Sequence, residues 1–264
     1  MLHVYSHCWR GGVCMIDFVE AVKRPWKTDP ITIVLGTLFT IFTPLRPLLH
    51  GLGVESAHRA QNGNETMPHF SDFIDSYLSG LMVIVIGILF FLPAMLALLA
   101  GALVSIPLLF SLFTSLAQNP ILAGQSFIGL LVNGAVFGAL ALIFVFLATL
   151  MAPIGIQLFA HDKKIASAFQ TSKIWRVIAT ADYWVTWLLL MAYGVVLVGA
   201  VAILSLHEFN ALSALFLGVA GYSWWMTTYI MFGEVVKDAG VLGSRHAGKK
   251  VAASEPKRSF AKKK

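Results

Sequence analysis

Four long stretches of this chain are apolar and contain no Lys, Arg, Asp, Glu or His. They cover residues 79–117, 119–160, 183–206 and 209–233. About 20 apolar residues of α-helix cross the hydrocarbon layer of a bilayer, and a soluble core cannot take up this much uninterrupted apolar sequence. The pattern therefore predicts an all-α protein, a multi-span transmembrane helical bundle.

The first apolar segment, about residues 31–53, is irregular because it contains Pro44 and Pro47. Two prolines this close together break or kink a helix. The dozen residues before the break are too few for a straight span. The segment therefore reads either as a re-entrant helix–break–helix or as a complete, kinked span.

The next apolar segment, 79–117, is too long for one ordinary span and barely long enough for two. It contains Pro93 and Pro107, so it predicts either one span with a membrane-parallel helix or two short spans. Residues 118–125 contain an Asn-Pro pair and predict a loop. The remaining apolar segments, each predicted to be a span, are about 126–152, 183–206 and 211–233.

The distribution of Lys and Arg around the spans predicts the orientation in the membrane. Basic residues are frequent before residue 28, in 153–182 and after 236, whereas the loops 118–125 and 207–210 have none. Because cytoplasmic loops carry the excess of Lys and Arg, the N-terminus and the C-terminal tail are predicted to be cytoplasmic. A re-entrant first segment would place loop 54–78 inside, and a spanning one would place it outside.

Three amphipathic segments each lead directly into an apolar stretch. They are residues 16–23, 70–77 and 164–178. Apolar residues three and four positions apart form one apolar face, which is typical of helices that lie in the membrane interface. If all three lie on one surface, the first apolar segment is re-entrant and four spans are complete, which is the topology we favour.

Composition supports a membrane protein with three regions. Only 12% of the 264 residues are charged, and mean hydropathy is +0.78, whereas globular domains are about 25% charged. We expect residues 1–14, with both cysteines, to be an N-terminal extension, 15–238 to be a multi-pass membrane domain, and 239–264 to be a basic disordered cytoplasmic tail. No cleavable signal peptide is visible in 1–14.

The net charge of +6 comes from the flanks of the apolar stretches and from the tail. Eight of the 19 basic residues lie in the last 20 positions, so the charge indicates contact with anionic lipid headgroups and not nucleic-acid binding. The expected partners are therefore the lipid bilayer and its headgroups. The residues predicted to contact headgroups are Lys163, Lys164, Lys173, Arg176, Lys249 and Lys250.

The order of short motifs along residues 15–238 resembles the prokaryotic membrane family known as domain of unknown function 4013. An acidic amphipathic start leads to Arg24-Pro25-Trp26, and a Pro-broken apolar segment ends in Gly51-Leu52-Gly53. The motifs that follow are Asn62-Gly63-Asn64, Met67-Pro68-His69-Phe70-Ser71-Asp72-Phe73, Gly80-Leu81, Ser167-Ala168-Phe169, Ile174-Trp175 and Asp182-Tyr183-Trp184. Met67 and His69 depart from the Leu and the acidic or polar residue usual there. The resemblance implies Met15 as the natural start and implies no assigned activity.

Polar residues inside apolar sequence are candidates for function, because a charge in the hydrocarbon is costly. Arg46 and His50 are four residues apart and would share a helical face. Arg46 would otherwise snorkel to headgroups or cap the break beside it. Glu55 and His58 form a single Glu-x-x-His, which is too little for a metal site of the kind built in helical bundles, so we expect solvated loop charges there.

Two further polar positions lie in the later spans. Asn133 precedes the Gly-x-x-x-Gly of Gly134 and Gly138, which predicts close helix packing within the protein or a homo-oligomer contact. Glu234 ends the last span three residues before Lys237, which predicts a surface ion pair. Aromatic residues in 183–187 and 222–229 fit interfacial belts.

No pattern of a nucleophile with a base, a phosphate-binding glycine loop or a Cys/His metal site is present in the sequence. We therefore expect no enzymatic activity, no catalytic residue, no cofactor and no metal. The function predicted is that of a membrane-organising or interaction protein acting through cytoplasmic interfacial helices and a basic tail. The alternative is a transporter or permease component for a small solute, because broken helices are common in transporters.

Overall fold

The computed structural model describes residues 18–64, 66–68, 73–116, 118–206 and 210–242. Within these ranges the chain is almost entirely helical and contains no strand, which confirms the all-α class. The eight α-helices described are α1 Phe18–Lys23, α2 Pro30–Ile41, α3 Arg46–Gln61, α4 Phe73–Ser115, α5 Pro120–Asp162, α6 Thr171–Ile178, α7 Ala181–Leu206 and α8 Asn210–Asp238. Short 3-10 turns cover Arg24–Lys27, Thr43–Leu45 and Ile165–Phe169.

Three of the described helices, α4, α5 and α7, are long and apolar enough to cross a membrane. This finding confirms a multi-span membrane protein. The helix α8 is not one of the three, although its 29 residues would suffice by length. Its second half is rich in Trp, Tyr and Thr, so a fourth crossing through 211–233 stays a prediction.

The segment 79–117 forms neither two spans nor a span with a membrane-parallel helix. Residues Phe73–Ser115 form one continuous helix of 43 residues, with Pro93 and Pro107 inside it. A proline inside a helix removes one backbone hydrogen bond, and neighbouring helices make this tolerable in membrane proteins. Both alternatives derived from the prolines are therefore wrong.

The helix α5 begins earlier and ends later than predicted. Asn119 caps it, because the Asn119 side chain accepts hydrogen bonds from two backbone N–H groups of the first turn. Pro120 occupies the first helical position, where a missing N–H costs nothing. Residues 120–125 are therefore helical and not a loop, and the helix runs to Asp162. The turn signal in Asn-Pro marked a helix start.

The helices α4 and α5 form a long antiparallel hairpin. Ser111 and Ser126 share a hydrogen bond of 2.9 Å near its tip, and Asn133 bonds to the backbone of Gly101 further down. Large apolar side chains remain exposed up to the tip, including Phe110, Phe113, Leu116, Ile121 and Phe127. The hairpin is therefore apolar along its length and lacks a protein partner near its tip in the described structure.

The first apolar segment enters the bundle and returns to the same end. Arg24, just before α2, pairs with Glu234 near the end of α8. The last turns of α2 pack against Gly218, in the first half of α8, and α3 then leads back to Gly233. The chain reverses at the 3-10 turn Thr43–Leu45, so the helix–break–helix has re-entrant geometry.

The three amphipathic segments adopt different structures. Phe73 to Tyr77 form the first turns of α4, so the described part of 70–77 is not a separate interfacial helix. In α6, Ile174, Val177 and Ile178 are buried against the protein, so this apolar face is not available to lipid. The described part of 16–23 is the short helix α1.

Tyrosines predicted for interfacial belts lie in the core. Tyr183, Tyr222 and Tyr229 are at most 3% exposed. Tyr183 donates a hydrogen bond of 2.8 Å to the Leu150 carbonyl, so its burial leaves that hydroxyl satisfied. Only the neighbouring tryptophans Trp184 and Trp225 keep substantial exposure, and the belt interpretation is wrong for the tyrosines.

Candidate functional site

Charged residues gather at one end of the bundle, which we call the charged end. There α3, α5 and α8 finish and α4 and α7 begin. Gln61 near the end of α3 donates hydrogen bonds to Gln157 in the last turns of α5. Phe232 near the end of α8 packs against Tyr183 at the start of α7. These contacts hold the end of α3 beside the end of α5, and the end of α8 beside the start of α7.

A polar cavity of about 470 Å³ lies at the charged end, between α3, the start of α4 and the end of α5. We call it the charged cavity. Its lining combines two cationic with two acidic side chains, together with hydroxyl and apolar groups. The lining residues are Gly51, Leu52, Glu55, Arg59, Pro68, Asp75, Ser76, Leu78, Ser79 and Lys163.

Close packing of α3 on α4 positions this cavity. Gly51 and Gly80 lie at the contact, where a Cβ on Gly51 would sit 1.9 Å from the Ser76 carbonyl oxygen. A Cβ on Gly80 would sit 1.6 Å from the Pro47 carbonyl oxygen. Small residues let two helix backbones approach in this way, so the two glycines set where α3 presents its polar side chains.

Arg59 connects parts of the cavity wall through an ion pair and hydrogen bonds. Its Nε lies 3.2 Å from Glu55 Oε1, one helical turn away. Its Nη1 also donates hydrogen bonds to the Thr66 hydroxyl and to the Met67 carbonyl. The guanidinium therefore joins α3 to the segment 66–68. Glu55 lies on a helix and not in a loop, and it is an ion-pair member whose side chain is still 43% exposed.

Lys163 closes the cavity from the end of α5. It has a left-handed backbone with φ of 54° and forms the C-cap of α5. This conformation is uncommon for a residue other than glycine. Loss of water around the side chain lowers the pKa of Lys163, and nearby Glu55 opposes that change.

Two histidines lie beside the cavity. The rings of His58 and His161 are 6.3 Å apart, and the Nδ1 atom of each is buried without a hydrogen-bond partner. Burial is the main cause that lowers the pKa of His58, and the positive charge of Lys163 adds to it. The neutral form of His58 is therefore favoured. Among the described residues no group of three or more His, Cys, Asp or Glu could hold a metal ion.

A second, apolar cavity of about 440 Å³ opens between the α4–α5 and α7–α8 hairpins. His50 reaches it from α3 and shares a hydrogen bond of 3.0 Å with the Tyr229 hydroxyl. The Trp225 ring packs edge-on against His50. Arg46 lies on the exposed surface at the start of α3. Arg46 and His50 therefore lie one turn apart in α3, as predicted, but only His50 lines the cavity.

Asn133 packs within the protein, as one of its two interpretations predicts. Its Nδ2 donates to the Gly101 carbonyl at 3.0 Å and to the Ser105 hydroxyl. A Cβ added to Gly134 or Gly138 would have nothing within 4 Å, so these glycines do not pack against α4. A homo-oligomer contact through these two glycines stays a prediction.

Glu234 has a different partner from the one predicted. Its Oε1 lies 2.7 Å from Arg24 Nη1, and both side chains are largely buried. The ion pair therefore fastens the segment before α2 to the end of α8. Lys237 is a weaker electrostatic neighbour and not the ion-pair partner.

The residues predicted to contact lipid headgroups separate into three groups. Lys163 lines the charged cavity. Lys164 and Arg176 are exposed, and Lys173 is half-buried beside the exposed Trp175. Lys249 and Lys250 lie outside the described residues.

Sequence reasoning missed Arg59 and Asp75, which both line the charged cavity. The spacing of Glu55 and Arg59, four residues apart, is the usual signal for an ion pair on a helix. No local signal joins Asp75 to Lys163, because they line one cavity only when α4 and α5 pair along their whole length.

The fold and the apolar helices define a multi-span helical membrane protein with a polar cavity at one end. The model of the family described as Protein of unknown function (DUF4013) matches residues 34–206. Because that match covers more than half of the chain, this protein belongs to that family. The matched region is shorter than the 15–238 over which the motifs resemble it. No curated protein and no solved structure matches the chain.

Proposed function

We propose that this protein organises or recruits partners and anionic lipids at one membrane face, through its charged end. The observation that carries the proposal is the uneven distribution of charged residues along the bundle. Residues 79–117 and 119–160 contain no charged residue. Acidic and basic side chains gather at one end of the helices that these residues form. The rule for Lys and Arg in loops predicts that this end is cytoplasmic.

The basic surface of α6 is the part best suited to lipid headgroups. Its buried side is held by the core, so its other side has a fixed orientation. That side presents Lys173, Trp175 and Arg176, and Trp beside basic residues is typical of a membrane interface. Each basic residue near an anionic surface contributes about 1 kcal/mol.

The test compares lipid binding by purified wild-type protein and the double variant Lys173→Gln/Arg176→Gln. Loss of two charges corresponds to about 2 kcal/mol, or roughly 30-fold weaker binding of phosphatidylglycerol, measured by native mass spectrometry in detergent. The matched control Lys23→Gln/Lys27→Gln removes the same charge at the same end. Lys27 is already paired with Glu20, so we expect a smaller loss. Equal losses in both variants would contradict a role of α6.

Topology has its own test, in protein without Cys8 and Cys14. A cysteine at Asn64, which is exposed at the charged end, should be shielded from an impermeant thiol reagent in intact cells. A cysteine at Gln118, exposed at the hairpin tip, should be labelled. Labelling of the first and shielding of the second would reverse the orientation.

A transporter component is the second candidate, and one observation favours it. The re-entrant α3 lies between the two cavities, with His50 lining one and Leu52 lining the other. Broken helices between cavities are typical of alternating access. Under this function, cysteines at these two positions should be labelled by impermeant reagents from opposite sides of the membrane. Labelling from the charged end alone would remove this candidate.

A further inference from the structure

The charges that line the charged cavity suit a ligand that is itself both positive and negative. Arg59 and Lys163 are balanced by Glu55 and Asp75. A ligand of one charge sign would meet two like charges at close range. A zwitterion can place its anion toward Lys163 and its cation toward the carboxylates, so both of its charges gain a favourable neighbour.

The hydrogen-bonding groups of the lining add to this selection. Ser76 and Ser79 bring hydroxyl groups that can donate to a phosphate oxygen. An ionised carboxylate only accepts hydrogen bonds, so Glu55 and Asp75 are suited to an ammonium that still carries protons. A quaternary trimethylammonium has no such donor. The cavity therefore favours a primary ammonium over a choline group.

One helical face leads from the cavity along the apolar length of α4. Leu78 lines the cavity and is 49% exposed. Met82, Val85 and Leu89 follow it four, seven and eleven positions later and are exposed as well. Residues at this spacing lie on one side of a helix. An acyl chain can therefore lie along α4 while its headgroup occupies the cavity.

We propose that the charged cavity binds one phospholipid with a primary ammonium headgroup, a phosphatidylethanolamine-type lipid, with its phosphate at Lys163 and its ammonium at Glu55 and Asp75. The exposed face of α4 argues for a lipid and against a soluble ligand with the same headgroup chemistry. The inference goes beyond the proposed function, because it concerns a neutral lipid in a cavity and not anionic lipid on α6.

The test is a competition measured by native mass spectrometry of the full chain in detergent. Phosphatidylethanolamine should be retained at least tenfold better than phosphatidylcholine or phosphatidylglycerol with the same acyl chains. Free phosphoethanolamine at the same concentration should not displace it. Equal retention of the three lipids would overturn the proposal, and displacement by free phosphoethanolamine would overturn the assignment to a lipid.

Two variants connect the binding to the cavity. Lys163→Asn removes the cation with a residue that tolerates the left-handed backbone, and should lower retention of phosphatidylethanolamine about tenfold. Its matched control is Lys164→Asn, the same change one position away and outside the cavity lining, which should leave retention unchanged. Asp75→Asn should reduce the preference over phosphatidylcholine while phosphatidylglycerol binds at least as well as before. Equal effects of the two lysine variants would refute the site, as would an unchanged lipid preference in Asp75→Asn.

The same measurements separate this inference from the role proposed for α6. The variant Lys173→Gln/Arg176→Gln should keep the full preference for phosphatidylethanolamine while it loses phosphatidylglycerol. Loss of both lipids in that variant would mean that α6 and the cavity form one site, which would overturn the inference.

Discussion

A Gly→Ala substitution should destabilise the protein at the α3–α4 contact and stabilise it at a helical glycine that has no close neighbour. A Cβ on Gly80 would lie 1.6 Å from the Pro47 carbonyl oxygen, whereas ordinary contact begins at 3.4 Å. In Gly80→Ala the two backbones must therefore move apart by about 1.8 Å, the difference between those distances. Overpacking of this kind costs about 1–3 kcal/mol, and backbone atoms that face each other place the cost at the upper end.

The matched control is Gly199→Ala in α7, where nothing lies within 4 Å of the added Cβ. Ala is favoured over Gly inside a helix by about 0.5–1 kcal/mol. This control should therefore raise the apparent unfolding temperature of the purified protein, while Gly80→Ala should lower it. Both proteins are heated in the same detergent, and the folded fraction that remains at each temperature is measured by size-exclusion chromatography. A Gly80→Ala protein as stable as Gly199→Ala would refute the close contact.

Three further outcomes are expected. Asn133→Ala should lower the free energy of unfolding by about 0.6–2 kcal/mol, because a hydrogen-bonded contact between α4 and α5 is lost; no change in thermal unfolding would mean that this contact contributes nothing. Arg24→Gln should destabilise by about 3 kcal/mol, because Glu234 is then left largely buried without its partner. The double variant with Glu234→Gln should recover part of that loss, and simple additivity in the cycle would contradict the pair. The lowered pKa of His58 predicts that its contribution to stability is fully present above about pH 6.5 and is lost as pH falls through its folded pKa; a His58→Asn protein should lose less stability between pH 7 and pH 5.

The class of protein could be predicted from sequence because it depends on local composition. A charge-free stretch such as 79–117 has no alternative to a membrane or a very large core. The break at Pro44 and Pro47 likewise predicted the reversal between α2 and α3. Prolines alone were misleading in α4, because Pro93 and Pro107 can weaken a helix without ending it when a neighbouring helix, here α5, packs along it.

The candidate site was less predictable because its parts come from distant positions. The charge of Lys163 predicts a headgroup contact, but nothing near it in sequence indicates that it lines the same cavity as Asp75. The partner of Glu234 was wrongly predicted since Lys237 is close in sequence, whereas Arg24 becomes close only when the first segment folds back onto α8. Long-range pairs of this kind follow from the order of helix packing and not from spacing.

The α4–α5 hairpin has a length that a bilayer cannot match. The charge-free part of α4, residues 79–115, corresponds to about 56 Å of helix at ~1.5 Å per residue. A hydrocarbon layer of about 30 Å would contain it only at a tilt of about 60°, far beyond the usual range of transmembrane helices. An upright hairpin would instead require the bilayer to thicken around it. Either response distorts the surrounding lipid, and this protein should therefore partition between membrane regions according to their thickness.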